Sequence, residues 1–183
     1  MNAHHRKITH TNVSSFLPQE LLNERFTLIW HPCTSDINCI QSRPIGIKAW
    51  IERGQQLRET VIQPKLYWQQ VSKVDQKGAL SDISTTLYNV DLLYITRVIE
   101  VKKVNRSHYP LAPRNKCLLV HSLDQKMLFE AGSEVERDRL AYALKLAVAR
   151  LGSKIIVGDA GVFDEFFVTG NGVPGEAPVW TRA

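Results

Sequence analysis

The sequence predicts a mainly β fold: a small bent antiparallel sheet or barrel capped by one C-terminal amphipathic helix. Three observations carry that reading. Strand-like runs follow one another at short spacing from residue 25 to residue 130. Residues 116–130 then read as two short strands around a tight turn, and residues 133–152 as a capped amphipathic helix with a stop.

Taken in order, residues 1–24 are polar, with one short helix expected over 18–25. Arg25-Phe-Thr-Leu-Ile-Trp-His31 alternates like a strand until Pro32 ends it. Residues 45–58 read as one long strand and 65–71 as its hairpin partner, followed by a polar loop over 73–81. Residues 85–88 and 91–101 are rich in β-branched and aromatic side chains, which suit a half-buried pleated surface. Pro110 and Pro113 make 105–115 a loop. Leu118 and Val120, then Met127 and Phe129, alternate on either side of a turn at 122–125, as in a hairpin. Ser133 and Glu136 have capping-box spacing, which fixes the helix start. Leu140, Leu144, Ala147, Val148 and Leu151 recur at steps of three and four and form one apolar stripe. Arg137, Arg139, Lys145 and Arg150 lie mostly off it. Gly152 is expected to end the helix.

With 183 residues and 44% hydrophobic content, the chain can bury one sizeable core. The expected organisation is an N-terminal extension over 1–44 containing the strand at 25–31, a β domain over 45–152, and a tail over 153–183. The net charge of +5 divides into +1, +6 and −2 over these three segments, so the basic surplus sits in the middle and favours an anionic partner. No apolar run reaches the length needed to span a bilayer, and the first residues lack a secretory apolar core. Cys33, Cys39 and Cys117 are too sparse for a disulfide framework and are read as free thiols. A cytoplasmic protein, peripheral to a membrane, is the expected setting.

Four stretches together resemble the pleckstrin-homology (PH) domain family over about residues 45–152. They are Gly54-Gln-Gln-Leu-Arg58 ending a strand, Pro64-Lys-Leu-Tyr-Trp68 opening the next, Val90-Asp-Leu-Leu-Tyr-Ile-Thr-Arg-Val98, and the strand-strand-helix ending through Glu134-Val-Glu-Arg-Asp-Arg-Leu-Ala-Tyr-Ala-Leu144. Leu140 occupies the helix position where the family usually carries tryptophan. The resemblance implies a non-catalytic binding module without a cofactor, reading phosphoinositide headgroups or proteins. It places a headgroup site at Arg58 and Lys65, across the 59–64 loop, with Arg53 and Lys48 further back. Tyr67 stands where another basic residue would complete the pattern. A multiply charged phosphate needs several converging cations, because each exposed pair is worth only about 0–1 kcal/mol.

A second basic cluster is denser: Lys102, Lys103, Arg106, His108, Arg114 and Lys116 flank the proline-containing loop. Such a segment can meet anionic lipid or a protein. For nucleic acid, stacking aromatics would have to accompany the cations, and only Tyr109 does, so that partner is not expected. His31, Cys33 and Cys39, with Cys117 or His121 as a distant fourth, match no common zinc spacing, and no metal is expected. No phosphate-cradling glycine loop, nucleophile elbow or zincin helix occurs, so nothing asks for an enzyme. Phe163, Phe166 and Phe167 either form a docking motif or pack back onto the domain. Two functions follow: recruitment to anionic phospholipid, or a protein adaptor that uses a sheet edge, the basic loop or the Phe-rich tail.

Overall fold

The structure, a computed structural model, describes residue 22 and residues 24–33, 43–71 and 86–169. Its strands are β1 (Arg25–His31), β2 (Ile45–Glu52), β3 (Gly54–Gln56), β4 (Val61–Ile62), β5 (Lys65–Gln70), β6 (Leu87–Asp91), β7 (Ile95–Glu100), β8 (Cys117–Ser122), β9 (Lys126–Glu130) and β10 (Phe167–Thr169). A 3-10 turn (Leu92–Tyr94) precedes β7, and the helices are α1 (Glu134–Ile156) and α2 (Gly161–Phe166). Among the described residues, seven strands form one antiparallel sheet in the order β6-β5-β2-β1-β9-β8-β7, and three form a small sheet in the order β10-β3-β4. The expected mainly β architecture with a capping helix is thus the observed one.

Alternation decides which face is buried. Phe26 and Leu28 on β1, Ile47, Ala49 and Ile51 on β2, Leu66 and Trp68 on β5, and Val90 on β6 all point to one face. Leu118, Val120, Met127 and Phe129 from the other wing enter the same core, so the sheet curls around its contents. Trp68 is the central large side chain, stacked on Tyr88 at 5.8 Å and meeting Trp30 and Phe129 edge-on at 5.9 and 5.5 Å. Leu140, Ala141, Leu144, Ala147 and Leu151 of α1 close this core against β7, β8 and the 3-10 turn. Leu140 is a buried aliphatic plug at the helix end of the core. No helix among the described residues is long and apolar enough to cross a bilayer.

Several expectations shift. The partition at residue 45 assigns β1 to an extension, yet β1 is hydrogen-bonded on both edges, to β2 and β9. The central strand of the sheet therefore lies before that boundary. The single long strand over 45–58 is split at Arg53, where the chain leaves the large sheet and enters the small one. Gly54 permits the split: a Cβ there would stand 2.4 Å from the Ile62 carbonyl oxygen and 2.6 Å from the Phe167 ring. Of the helix expected over 18–25, Leu22 is helical and Arg25 belongs to β1, while residues 18–21 and 23 lie outside the described residues.

The helix start is as expected, with the Glu136 amide donating to Ser133 Oγ at 3.1 Å. The helix does not stop at Gly152. A glycine inside a helix costs only about 1 kcal/mol relative to alanine, which the packing of Leu151 offsets. The stop comes at Gly158, whose φ of 67° is the left-handed conformation; its amide donates to the Ile155 carbonyl at 3.1 Å. Beyond it, Val162, Phe166 and Phe167 are buried and Phe163 packs against the core, so these aromatics belong to the domain instead of forming a free docking motif. Glu165 secures the return, pairing with Arg150 at 2.7 Å and Lys154 at 2.6 Å.

Two substitutions test the opposite demands on these glycines. Gly54→Ala is expected to destabilise by about 1–3 kcal/mol through overpacking. Gly152→Ala, whose Cβ would meet nothing within 4 Å, is expected to stabilise by about 0.5–1 kcal/mol. Urea midpoints of the two variants moving in the same direction would refute this account.

Candidate anion-binding surface

The two basic groups singled out from the sequence are treated differently by the fold. Lys65 on β5 faces Asp91 on β6 across the ladder, and its ammonium donates to Asp91 Oδ1 at 2.6 Å. Arg53 donates from Nε to the Glu165 backbone carbonyl at 2.9 Å. Arg58 stands exposed in the turn between β3 and β4. Tyr67 stacks on Trp50, its cross-strand partner, at 5.9 Å, while Arg25 lies over the other ring at 4.5 Å from the Trp50 centroid. Burial and the Glu52 carboxylate raise the Tyr67 phenol above its ordinary value, so it is no substitute for a cation. A cleft of about 330 Å³ beside this row is lined by Leu22, Glu24, Arg25, Trp50, Glu52 and Arg53 among others, mixing acids with bases. Arg53, Arg58, Lys65 and Tyr67 are therefore not brought together as a set of unpaired cations.

The loop between β7 and β8 is different. Residues 101–116 contain five lysines and arginines and no acid, a charge equal to the net +5 of the whole chain. The described ion pairs engage other cations, namely Lys65, Arg137, Arg139, Lys145, Arg150 and Lys154. Lys102, Lys103, Arg106, His108 and Arg114 are exposed, and Lys116 is half-buried.

The loop is held by its own apolar residues. Tyr109, 8% exposed, and Ala112 are buried with Cys117 and Leu128 in a small second core on the outer face of the sheet, where Cys33, Val101, Val104 and Leu119 also pack. Tyr109 is thus an anchor and offers no stacking platform. The Tyr109 amide donates to the Asn105 carbonyl at 2.8 Å, Asn105 Oδ1 accepts from the Ser107 amide at 3.1 Å, and Arg106 donates to the Pro110 carbonyl at 3.1 Å. Between the two buried anchors, Leu111 points outward, 66% exposed among the cations.

The neck of the loop is closed by a residue that the helical pattern placed on the polar side. Arg137 is only 4% exposed, and its Nη1 donates to the Val101 carbonyl at 3.4 Å and the Cys117 carbonyl at 3.3 Å, where the chain enters and leaves the loop. Its charge is met by Asp138 at 2.6 Å and Glu134 at 3.3 Å. The one signal for this in the sequence is that Arg137 stands three residues before Leu140, in line with the apolar stripe.

Around the second core, His31 and Glu130 pair at 2.7 Å. Cys117 faces Glu130 across the ladder, and burial, reinforced by that carboxylate, pushes its thiol up to about 12. Cys39 lies outside the described residues. Among the described residues, no group of three or more His, Cys, Asp or Glu side chains converges as a metal site.

No family model and no curated protein matches the chain. Among solved structures, it is similar to S. officinalis PLC21 at 13% identity and a TM-score of 0.43, over 75% of this chain and 16% of that one. This chain thus spans 16% of the length of the chain it matches.

Arg137→Ala is expected to cost about 2–4 kcal/mol in urea unfolding and to speed tryptic cleavage at Lys102 and Lys103, since two neck carbonyls lose a charged donor. Arg137→Lys should recover only part of it, lacking the fork that serves Asp138, Glu134 and the two carbonyls from separate nitrogens. Cleavage as slow as in wild type would show that Arg137 does not hold the loop. Cys117, protonated at about pH 8, should resist alkylation in the folded protein and react on unfolding, as read by peptide mass spectrometry.

Proposed function

We propose that this chain is a non-catalytic PH-like module recruited to anionic phospholipid surfaces through its basic loop. The observation that carries the reading is the loop itself: Lys102, Lys103, Arg106, Arg114 and Lys116 displayed without an acid, on a segment anchored from below by Tyr109 and Ala112. An ordered display matters because the side chains are presented without first fixing a flexible backbone, which would cost about 1–2 kcal/mol per residue. The strand order of the seven-stranded sheet and the long helix α1 that follows it support the PH resemblance.

The chemistry is mainly long-range. An anionic bilayer attracts each lysine or arginine near its surface by about 1 kcal/mol, and the attraction decays within a Debye length. Leu111 and Pro110 at the exposed tip add apolar area that can enter the headgroup region. Arg58 and Lys65 contribute less in this reading, because Lys65 is already neutralised by Asp91.

Vesicle sedimentation tests this with phosphatidylcholine containing phosphatidylserine or a phosphoinositide. Wild type should bind at low salt and be released as salt rises. Lys102→Gln/Lys103→Gln/Arg114→Gln should weaken binding about 100-fold, at about 1 kcal/mol per cation. Arg58→Gln/Lys65→Gln should weaken it far less. Absence of binding at low salt, or a triple variant that binds like wild type, would refute the proposal.

A further inference from the structure

The outer face that carries the basic loop continues beyond it. Leu119 and Leu128 lie under the loop, and Ile99 extends their row across the ladder. The next row toward the β8–β9 turn is Arg97, His121 and Lys126, which are direct cross-strand partners on β7, β8 and β9. Partners of this kind have Cβ atoms about 5 Å apart, and like charges placed so are destabilising. The register therefore places His121 between two permanent cations, which oppose its protonation from both sides.

Among the described residues, no ion pair engages Arg97 or Lys126. Among the described residues, the charges that act on the His121 ring are Lys126 from β9 and Arg97 from β7, and Asp124 stands in the adjoining turn. The Asp124 carboxylate accepts from Ser122 Oγ at 2.9 Å. Thr96 Oγ1 donates to the His121 backbone carbonyl at 3.3 Å, away from the ring. His121 Nε2 is enclosed and has no hydrogen-bond partner. Burial first, then Lys126 and Arg97, hold the imidazole below its ordinary pKa.

We infer that Arg97, His121 and Lys126 form a recognition site for a phosphomonoester on the face that carries the basic loop. A phosphomonoester has a charge near −2 and three terminal oxygens, which match a guanidinium fork and an ammonium presented on either side of an imidazole that can add a third positive charge. A carboxylate supplies one charge and two oxygens and leaves part of the row unpaired. The site rests on the membrane reading only for the source of its ligand: the same chemistry takes a lipid headgroup or a soluble phosphate.

The site also senses pH. A bound dianion favours the imidazolium, so binding takes up a proton and raises the His121 pKa. Because the ligand's own second pKa is near 6, affinity is greatest where imidazolium and dianion coexist, falls as pH rises through the bound-state pKa of His121, and falls again as acid protonates the phosphate. A rise of about one unit means that the protonated form binds about tenfold more tightly than the neutral form.

The test is an NMR titration of the His121 ring in the full chain, with its signal identified by His121→Gln. It is run alone, in sodium chloride, and at the same ionic strength in inorganic phosphate or a soluble inositol trisphosphate. Two further arms add vesicles of phosphatidylcholine with phosphatidic acid or with phosphatidylserine. The expected result is a saturable rise of about one pKa unit beyond the sodium chloride control. Arg97→Gln/Lys126→Gln should abolish that rise, and its unliganded His121 should titrate nearer the ordinary value. A response to soluble phosphate identifies a free ligand, and one confined to phosphatidic acid vesicles identifies a headgroup; either supports the site. No rise beyond the salt control in any arm, or an equal rise in the double variant, would overturn it. If vesicle binding fails while soluble phosphate still shifts His121, the membrane reading falls and this site stands.

Discussion

The Arg137 guanidinium lies where three parts of the molecule meet, and the exposed chemistry depends on it. It belongs to the first turns of α1, touches the last residue before the basic loop and the first residue after it, and is almost wholly shielded from water. A buried cation is tolerated only when its charge and its donors are satisfied. Here Glu134 and Asp138 from the helix supply the charge, and the Val101 and Cys117 carbonyls take the remaining donors. The same contact that seats the helix on the sheet therefore closes a segment of five like charges, which would otherwise repel one another into an open chain. The Val101 amide, donating to the Cys117 carbonyl at 2.9 Å, completes the neck.

The two faces of the sheet divide the work. The inner face is a continuous apolar core, centred on Trp68 and its aromatic neighbours and extended by α1 and α2. The outer face is not simply a solvated surface, because one end of it is roofed by the loop through Tyr109 and Ala112. That roof buries Cys117 and Leu128 and leaves Lys102, Lys103, Arg106 and Arg114 exposed. A surface of this kind is defined by the fold and charged by the loop.

What was legible in the sequence was whatever is decided locally. The Ser133 cap, the turn at 122–125 and the alternation of Leu118, Val120, Met127 and Phe129 depend on neighbours a few residues away, and each is found where the pattern places it. The central role of β1 was not legible, because its partners are β2, some 20 residues later, and β9, about 100 residues later. The same holds for Lys65, whose basic character is cancelled by Asp91 across the ladder. Arg137 reads as a solvated helical arginine until the two carbonyls above it are known. The row of Arg97, His121 and Lys126 is spread over three strands and acquires meaning only through the register that aligns them.

The small sheet carries a consequence for the order in which the molecule is made. β10 pairs with β3 in parallel, Phe167 beside Gly54, so a contact between residues more than 100 apart joins the small sheet to the end of the chain's described part. Long-range pairings of this type form late, because loop closure has to precede them. During synthesis from the N-terminus, β1 to β9 and most of α1 are available before Phe166 and Phe167 emerge. Until then the Gly54 edge and the cleft that these two rings fill remain open to other chains, so the nascent protein is most vulnerable to misassociation just before its last apolar residues arrive.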